Sequence, residues 1–149
     1  MHIWVDADAC PGPIKELLFR TAKRREVNVT LVANQQMNTP KSPYIDSLLV
    51  ASGANVADRR IMELVEPGDL VITADIPLAA DVVAAGGQAL NPRGELYNDA
   101  NVGERLAVRN MLDGMRGSGE ITGGPPQFTP KDRQAFANQL DRWVTKALA

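Results

Sequence analysis

The sequence predicts an α/β fold, a three-layer sandwich with a central, mostly parallel sheet and a C-terminal helix docked on the domain. Three observations predict it. Ile3-Trp4-Val5 and Leu70-Val71-Ile72-Thr73 are short, continuous apolar runs, the pattern of strands buried on both faces of a parallel sheet. Segments of helical period alternate with such runs, which requires right-handed crossovers and places helices on both faces. Both runs also end alike, in Asp6 and in Ala74-Asp75, at the strand end where open α/β sheets hold their ligands.

The elements follow in order. After the first strand, Pro11, Gly12 and Pro13 punctuate the chain, and Ile14, Leu17, Leu18 and Ala22 carry a helix whose last turn, Lys23-Arg24-Arg25, suits the negative end of the helix dipole. Val27 to Ala33 alternates and is rich in β-branched residues, a second strand. The polar, Pro-containing stretch from Asn34 to Pro43 is a loop at the carboxyl end of that strand. Leu48 to Ala51 forms a short third strand. Asp58 to Val65, with Ile61, Met62 and Val65 in phase, is helical until Glu66-Pro67-Gly68-Asp69 stops it. Leu70 to Thr73 is followed by a helix from Leu78 to Ala85, a Gly86-Gly87 stop and a last strand, Gln88-Ala89-Leu90. Asn101 to Met115 is a helix with an imperfect apolar stripe, and the Gly- and Pro-rich stretch from Gly117 to Pro126 is expected to be flexible. Thr129 then serves as an N-cap, with Asp132 three residues on, for a helix whose stripe of Phe136, Leu140, Trp143 and Val144 docks on the rest.

At 149 residues the chain forms one domain, 1–149, with enough bulk for its own core. Its 44% hydrophobic and 23% charged content excludes disordered and collagen-like classes. A net charge of -2 exerts no global attraction on nucleic acid, so a polyanion site needs local Lys and Arg or metal ions. The start Met-His-Ile-Trp-Val-Asp lacks the basic and apolar regions of a signal peptide, no window reaches the roughly 20 apolar residues of a membrane helix, and the lone Cys10 excludes an internal disulfide. The expected location is cytoplasmic, without membrane contact.

The chemistry concentrates in acids. Asp6 and Asp75 end buried strands, and Asp58 at or near a helix start is within reach of the same crevice. Carboxylates converging without a cation repel, and a hard divalent ion, Mg²⁺ or Mn²⁺, is the usual remedy. Helix capping is the rival role for each of them. Asp8 shares a face with Asp6 if the strand persists, and is either a ligand or a cap for the helix near Pro13. Asp46, Asp69, Asp81, Asp99, Asp113, Asp132 and Asp141 read as solvated or capping. Cys10 precedes a helix, but a phosphatase loop would need Arg where Glu16 stands, leaving a small buried thiol. His2, the only histidine, lies far from the strand's carboxyl end, which removes His-based triads and His-rich zinc sites. No strand is followed by a glycine-rich phosphate loop, so no nucleotide cofactor is expected. Lys15, Arg93, Arg105 and Arg109 are the candidate phosphate contacts, with a solvated face as the competing explanation.

Val5-Asp6-Ala7-Asp8-Ala9-Cys10-Pro11, Asp69 through Ala79, Asn91-Pro92-Arg93-Gly94 and Gly123-Gly124-Pro125 together resemble the YaiI/YqxD family of bacterial proteins, over nearly the whole chain and in order. The resemblance implies a PIN-like domain, a superfamily whose characterised members are often Mg²⁺- or Mn²⁺-dependent ribonucleases. It implies metal ligands at Asp6 and Asp75, with Asp8 and Asp58 supporting, and RNA as the partner. Relatives often carry an acid where this chain has Asn55, a departure that weakens a two-metal arrangement if that position is a ligand. Two alternatives remain beside the nuclease. One is a haloacid-dehalogenase-type phosphatase that uses Asp6 as nucleophile and Asp8 as acid. The other is a non-catalytic module that binds RNA or a protein partner through a nuclease-like fold.

Overall fold

A computed structural model describes residues 1–117 and 127–149. The segment expected to be flexible, Gly117 to Pro126, falls outside the described residues apart from Gly117. Strand β1 (His2–Asp6) runs through a single 3-10 turn (Ala7–Ala9) into α1 (Gly12–Arg25). The chain continues through β2 (Asn28–Ala33), β3 (Ile45–Leu49), α2 (Val56–Leu64), β4 (Leu70–Ile72) and α3 (Ile76–Ala84). It ends with β5 (Gln88–Leu90), β6 (Leu96–Tyr97), α4 (Val102–Gly117) and α5 (Pro130–Leu148). Among the described residues six strands form one sheet in the order β3-β2-β1-β4-β5-β6, parallel except for β6 against β5. The α/β class is therefore as expected.

The alternation of β1 sorts the molecule into layers. Ile3 and Val5 join the core formed with Ile14, Leu18 and Ala22 of α1 and Phe136, Leu140 and Val144 of α5. Trp4 faces the other way, into the cluster of Val32, Val71, Ile61 of α2 and Leu78 and Val82 of α3. Because side chains alternate along a strand, Asp6 shares the Trp4 side, the side of α2 and α3. At the amino end of the sheet Asp69 is buried, and its carboxylate accepts hydrogen bonds from His2 N (3.0 Å), Trp4 Nε1 (3.0 Å) and Glu66 N (2.9 Å). The solvated or capping role expected of Asp69 is corrected to that of a buried anchor, since one carboxylate serves the turn before β4, the backbone of β1 and an indole at once.

Two further expectations change. The third strand is Ile45–Leu49 rather than Leu48 to Ala51, because it is an edge strand whose Asp46, Ser47 and Leu49 are exposed, and it lacks an apolar run to mark its start. Gln88–Leu90 is not the last strand. The turn closed by Gly94 N to Asn91 O (2.8 Å) and Asn91 N to Glu95 O (2.8 Å) returns the chain as β6, too short for any periodicity.

That turn also seats α5. The Thr129 capping box forms as expected, with Asp132 N donating to Thr129 Oγ1 (3.3 Å) and Thr129 N to Asp132 Oδ2 (3.0 Å). The same Asp132 Oδ2 accepts from Arg93 Nη1 at 2.9 Å, while Trp143 Nε1 donates to Gln88 Oε1 (3.0 Å). Gly94 has φ +97°, and a Cβ there would lie 2.7 Å from the backbone of Ala135 in α5. Only glycine meets both the backbone angle and the closeness of the helix.

Two outcomes follow. Gly94→Ala is expected to lower unfolding stability by about 2 kcal/mol or more, through a positive φ and an overlap that must push α5 away; urea denaturation measures the loss, and faster amide exchange in α5 locates it. Asp69→Ala strands three donors and is expected to cost about 3 kcal/mol by the same denaturation measurement.

Candidate active site

The acids that end β1 and β4 meet through a hydroxyl. Thr73, buried just beyond β4, donates Oγ1–H to Asp6 Oδ2 (3.0 Å) and accepts from Asp75 N (3.0 Å). Asp75 caps α3, its Oδ1 accepting from Leu78 N at 3.0 Å, so the capping role weighed for this residue is realised by one of its two oxygens. Asp58 stands in the first turn of α2, and its carboxyl lies close enough to that of Asp75 for one, when protonated, to donate to the other.

These neighbours oppose one another's charge. Burial is the first cause that lifts the Asp58 carboxyl to about 6, followed by Asp75, Asp6 and Asp81. Asp6 is also raised, first by burial and then by Asp75 and Asp8, against the lowering effect of the Thr73 hydroxyl. Withdrawal of water and neighbouring negative charge both disfavour the ionised carboxylate, and a cation beside it would favour it again. Among the described residues no three His, Cys, Asp or Glu side chains are gathered closely enough to form a ready-made metal cluster.

Beside this group lies an open cleft of about 690 Å³ between α2, α3 and α4, lined by Asp58, Glu63, Asp75 and Asp81 together with Arg59 and Arg109. Met62 and Leu78 form its apolar floor. Asp6 does not line the cleft and reaches it only through Thr73 and Asp75. Sequence reasoning missed Thr73, Asp81 and Arg59. A hydroxyl closing an apolar strand two residues before Asp75 was the available signal for Thr73. Asp81 and Arg59 look like any exposed helical charge until α2 and α3 are brought together.

The other candidates are placed as follows. Asp8 is exposed, because β1 ends at Asp6 and the 3-10 turn rotates the next residues; its Oδ2 accepts from Asn34 N (2.8 Å). Lys15 Nζ contacts Met37 Sδ (3.7 Å) on the α1 side of the sheet. Arg93 lies between Asp132, at 2.9 Å, and the ring of Phe128, 5.9 Å from its centroid, where it anchors α5 and does not line the cleft. Arg105 pairs with Glu95. Arg109 lines the cleft while paired with Asp113 at 3.0 Å. Asn55 sits at the cleft mouth with φ +65°, a left-handed angle that Asn tolerates better than most side chains. Cys10 is a buried thiol pushed up to about 12, first by burial, which makes it inert. His2 stacks on Trp4 with ring centroids 3.9 Å apart, at the opposite end of the strand from Asp6.

A family model described as "Uncharacterized BCR, YaiI/YqxD family" matches residues 4–146. Proteins named "UPF0178 protein" are similar along their full length. The one from Maridesulfovibrio salexigens is 56% identical over 148 residues, covering 99% of this chain and 98% of its own. Those from Dechloromonas aromatica and Thioalkalivibrio sulfidiphilus are 58% and 60% identical over 146 residues, covering 98% of this chain and 97% and 99% of their own. No solved structure matches the chain.

Asp58 imposes a pH dependence on the metal-free protein. Its carboxyl is raised on folding, so its contribution to stability is fully present below about 3.8, the unfolded value, and is lost as pH rises through about 6. In EDTA, Asp58→Asn is therefore expected to gain stability relative to wild type between pH 4 and pH 7, read as the difference in urea midpoint. An offset that stays constant across that interval would contradict the charge cluster.

Proposed function

The chain belongs to the YaiI/YqxD family, and from that premise we propose that it is a divalent-cation-dependent phosphodiesterase acting on RNA. The observation that carries this reading is the approach of the Asp58 carboxyl of α2 to that of Asp75 at the N-terminus of α3, with Asp6 of β1 linked to Asp75 through the Thr73 hydroxyl. The donors are carboxylate oxygens, with no imidazole and with the one thiol buried elsewhere, a set that fits Mg²⁺ or Mn²⁺ better than zinc or copper. Asp58 and Asp75 on the cleft wall are the residues that would hold it, with Asp6 tied to them through Thr73. When bound, the ion supplies positive charge to offset both the carboxylates and the charge that develops on a phosphoryl group, and it makes water a stronger acid.

The chain's own groups divide the remaining work. Thr73 fixes one oxygen of Asp6 and the backbone of Asp75, so the two acids keep their relative placement. Asp58, whose carboxyl is lifted to about 6 by burial and by Asp75 and Asp6, carries a charge that a bound ion would relieve. Arg109 and Arg59 on the cleft wall supply N–H donors for phosphate oxygens. Lys15 and Arg93 draw less support for that role, since neither lines the cleft. A phosphatase built on Asp6 and Asp8 is disfavoured by the turn that points the Asp8 carboxylate at the Asn34 amide. Among the described residues no helix is long and apolar enough to cross a membrane.

Purified protein is expected to cleave a fluorogenic single-stranded RNA with Mg²⁺ or Mn²⁺ and not with EDTA. Asp6→Asn and Asp75→Asn should each lower the rate about a hundredfold or more, roughly 3 kcal/mol of barrier. Mn²⁺ should raise the melting temperature of wild type and fail to raise that of Asp75→Asn. Undiminished cleavage by both variants would end the assignment.

A further inference from the structure

The cleft is a poor first landing place for a polyanion, since Asp58, Glu63, Asp75 and Asp81 outnumber Arg59 and Arg109 on its wall. The opposite side of the sheet is different. There α1 presents Arg20, Lys23 and Arg24, all exposed and, at i, i+3 and i+4, on one face of the helix. With Glu16 and Phe19 of the same helix and Pro40 of the loop between β2 and β3 they line a concavity of about 420 Å³. Among the described residues none of the three cations takes part in an ion pair, whereas the adjacent Arg25 is held by Asp141 at 3.4 Å. The helix dipole accounts for Lys23 and Arg24 in the last turn, but not for Arg20 one turn earlier, nor for the concave surface made with Pro40. Three clustered cations on a chain of net charge -2 are a local concentration of charge opposed to the overall balance.

We infer that the pocket formed by Arg20, Lys23, Arg24 and Pro40 is an exosite for the phosphate backbone of a single-stranded nucleic acid, holding the polymer on the far side of the sheet from the acidic cleft. This rests on the proposed function insofar as RNA is the polymer. The helix itself supplies the path. It starts beside the carboxyl end of β1, carries Lys15 near that start, and runs nine residues further to Arg24, about 14 Å at the helical rise. A strand leaving the cleft over that edge of the sheet meets Lys15 first and the exosite next. Phosphates fit the site better than base edges do, because three cations on one helical turn offer charge without the paired acceptors that base readout needs.

The test is fluorescence anisotropy of a labelled single-stranded RNA 20-mer in EDTA, which reads binding with cleavage switched off. The triple variant Arg20→Ala, Lys23→Ala, Arg24→Ala is expected to bind at least tenfold more weakly than wild type. Its plot of log affinity against log salt should be shallower by about 2, the value for three single-strand phosphates that the protein no longer neutralises. Lys131→Ala, Arg133→Ala and Lys146→Ala together remove the same charge from α5 and should leave affinity within about twofold, which separates a local site from net charge. Equal affinity for wild type and the α1 variant, or an equal loss in the α5 variant, would overturn the exosite. Failure of wild type to bind RNA in EDTA would overturn it too, whatever the cleavage assay shows. Intact, α1-dependent binding without any cleavage would instead uphold the exosite and remove the hydrolase.

Discussion

The feature on which the rest of the structure turns is the unbalanced negative charge at one end of the sheet. A parallel arrangement brings the carboxyl ends of β1 and β4 side by side, and both strands run into aspartates there. The adjacent helix α2 adds Asp58 to the same side. Each ionised carboxylate makes the next costlier, and burial removes the water that would screen them. A fold that tolerates this arrangement without a cation gives up stability to keep the acids together.

The two ends of β1 show how the same side chain is given opposite tasks. At the amino end, Asp69 is saturated by two backbone amides and an indole, and serves to lock β1, the turn before β4 and Trp4 to one another. At the carboxyl end, Asp6 has among the described residues one hydroxyl donor, Thr73, and is raised by the charges of other acids. Asp69 is buried and Asp6 half-buried. The supply of donors separates an anchor from a site, because a carboxylate whose lone pairs are already satisfied has little left for a ligand.

A motif that suggests chemistry can serve architecture instead. Asn91-Pro92-Arg93-Gly94 reads as a cationic turn suited to phosphate, yet its arginine pairs with Asp132 at the start of α5 and its glycine makes room for Ala135. The turn and the helix cap form one device, since Asp132 serves both the capping box and the guanidinium. The C-terminal helix is thereby seated on the α1 side of the sheet, which leaves the α2 and α3 side to form the cleft.

The sequence by itself determined the α/β class, the buried strands β1, β4 and β5, the helices on either side of them, the capping of α5 and the placing of Asp6 and Asp75 at the carboxyl ends of strands. It could do so because continuous apolar runs, helical periodicity and Asp at strand ends are local signals, whereas the order that sets β1 beside β4 came from the tertiary structure. Tertiary structure alone decided the bounds of the edge strand β3 and the existence of β6, the one too exposed and the other too short to leave a clear pattern. It also decided the inward role of Asp69, the turning away of Asp8 and the separation of Arg93 from Arg109. Those depend on which partner a charged group meets across the fold, and the spacing of residues along a chain carries no record of how distant segments come to touch.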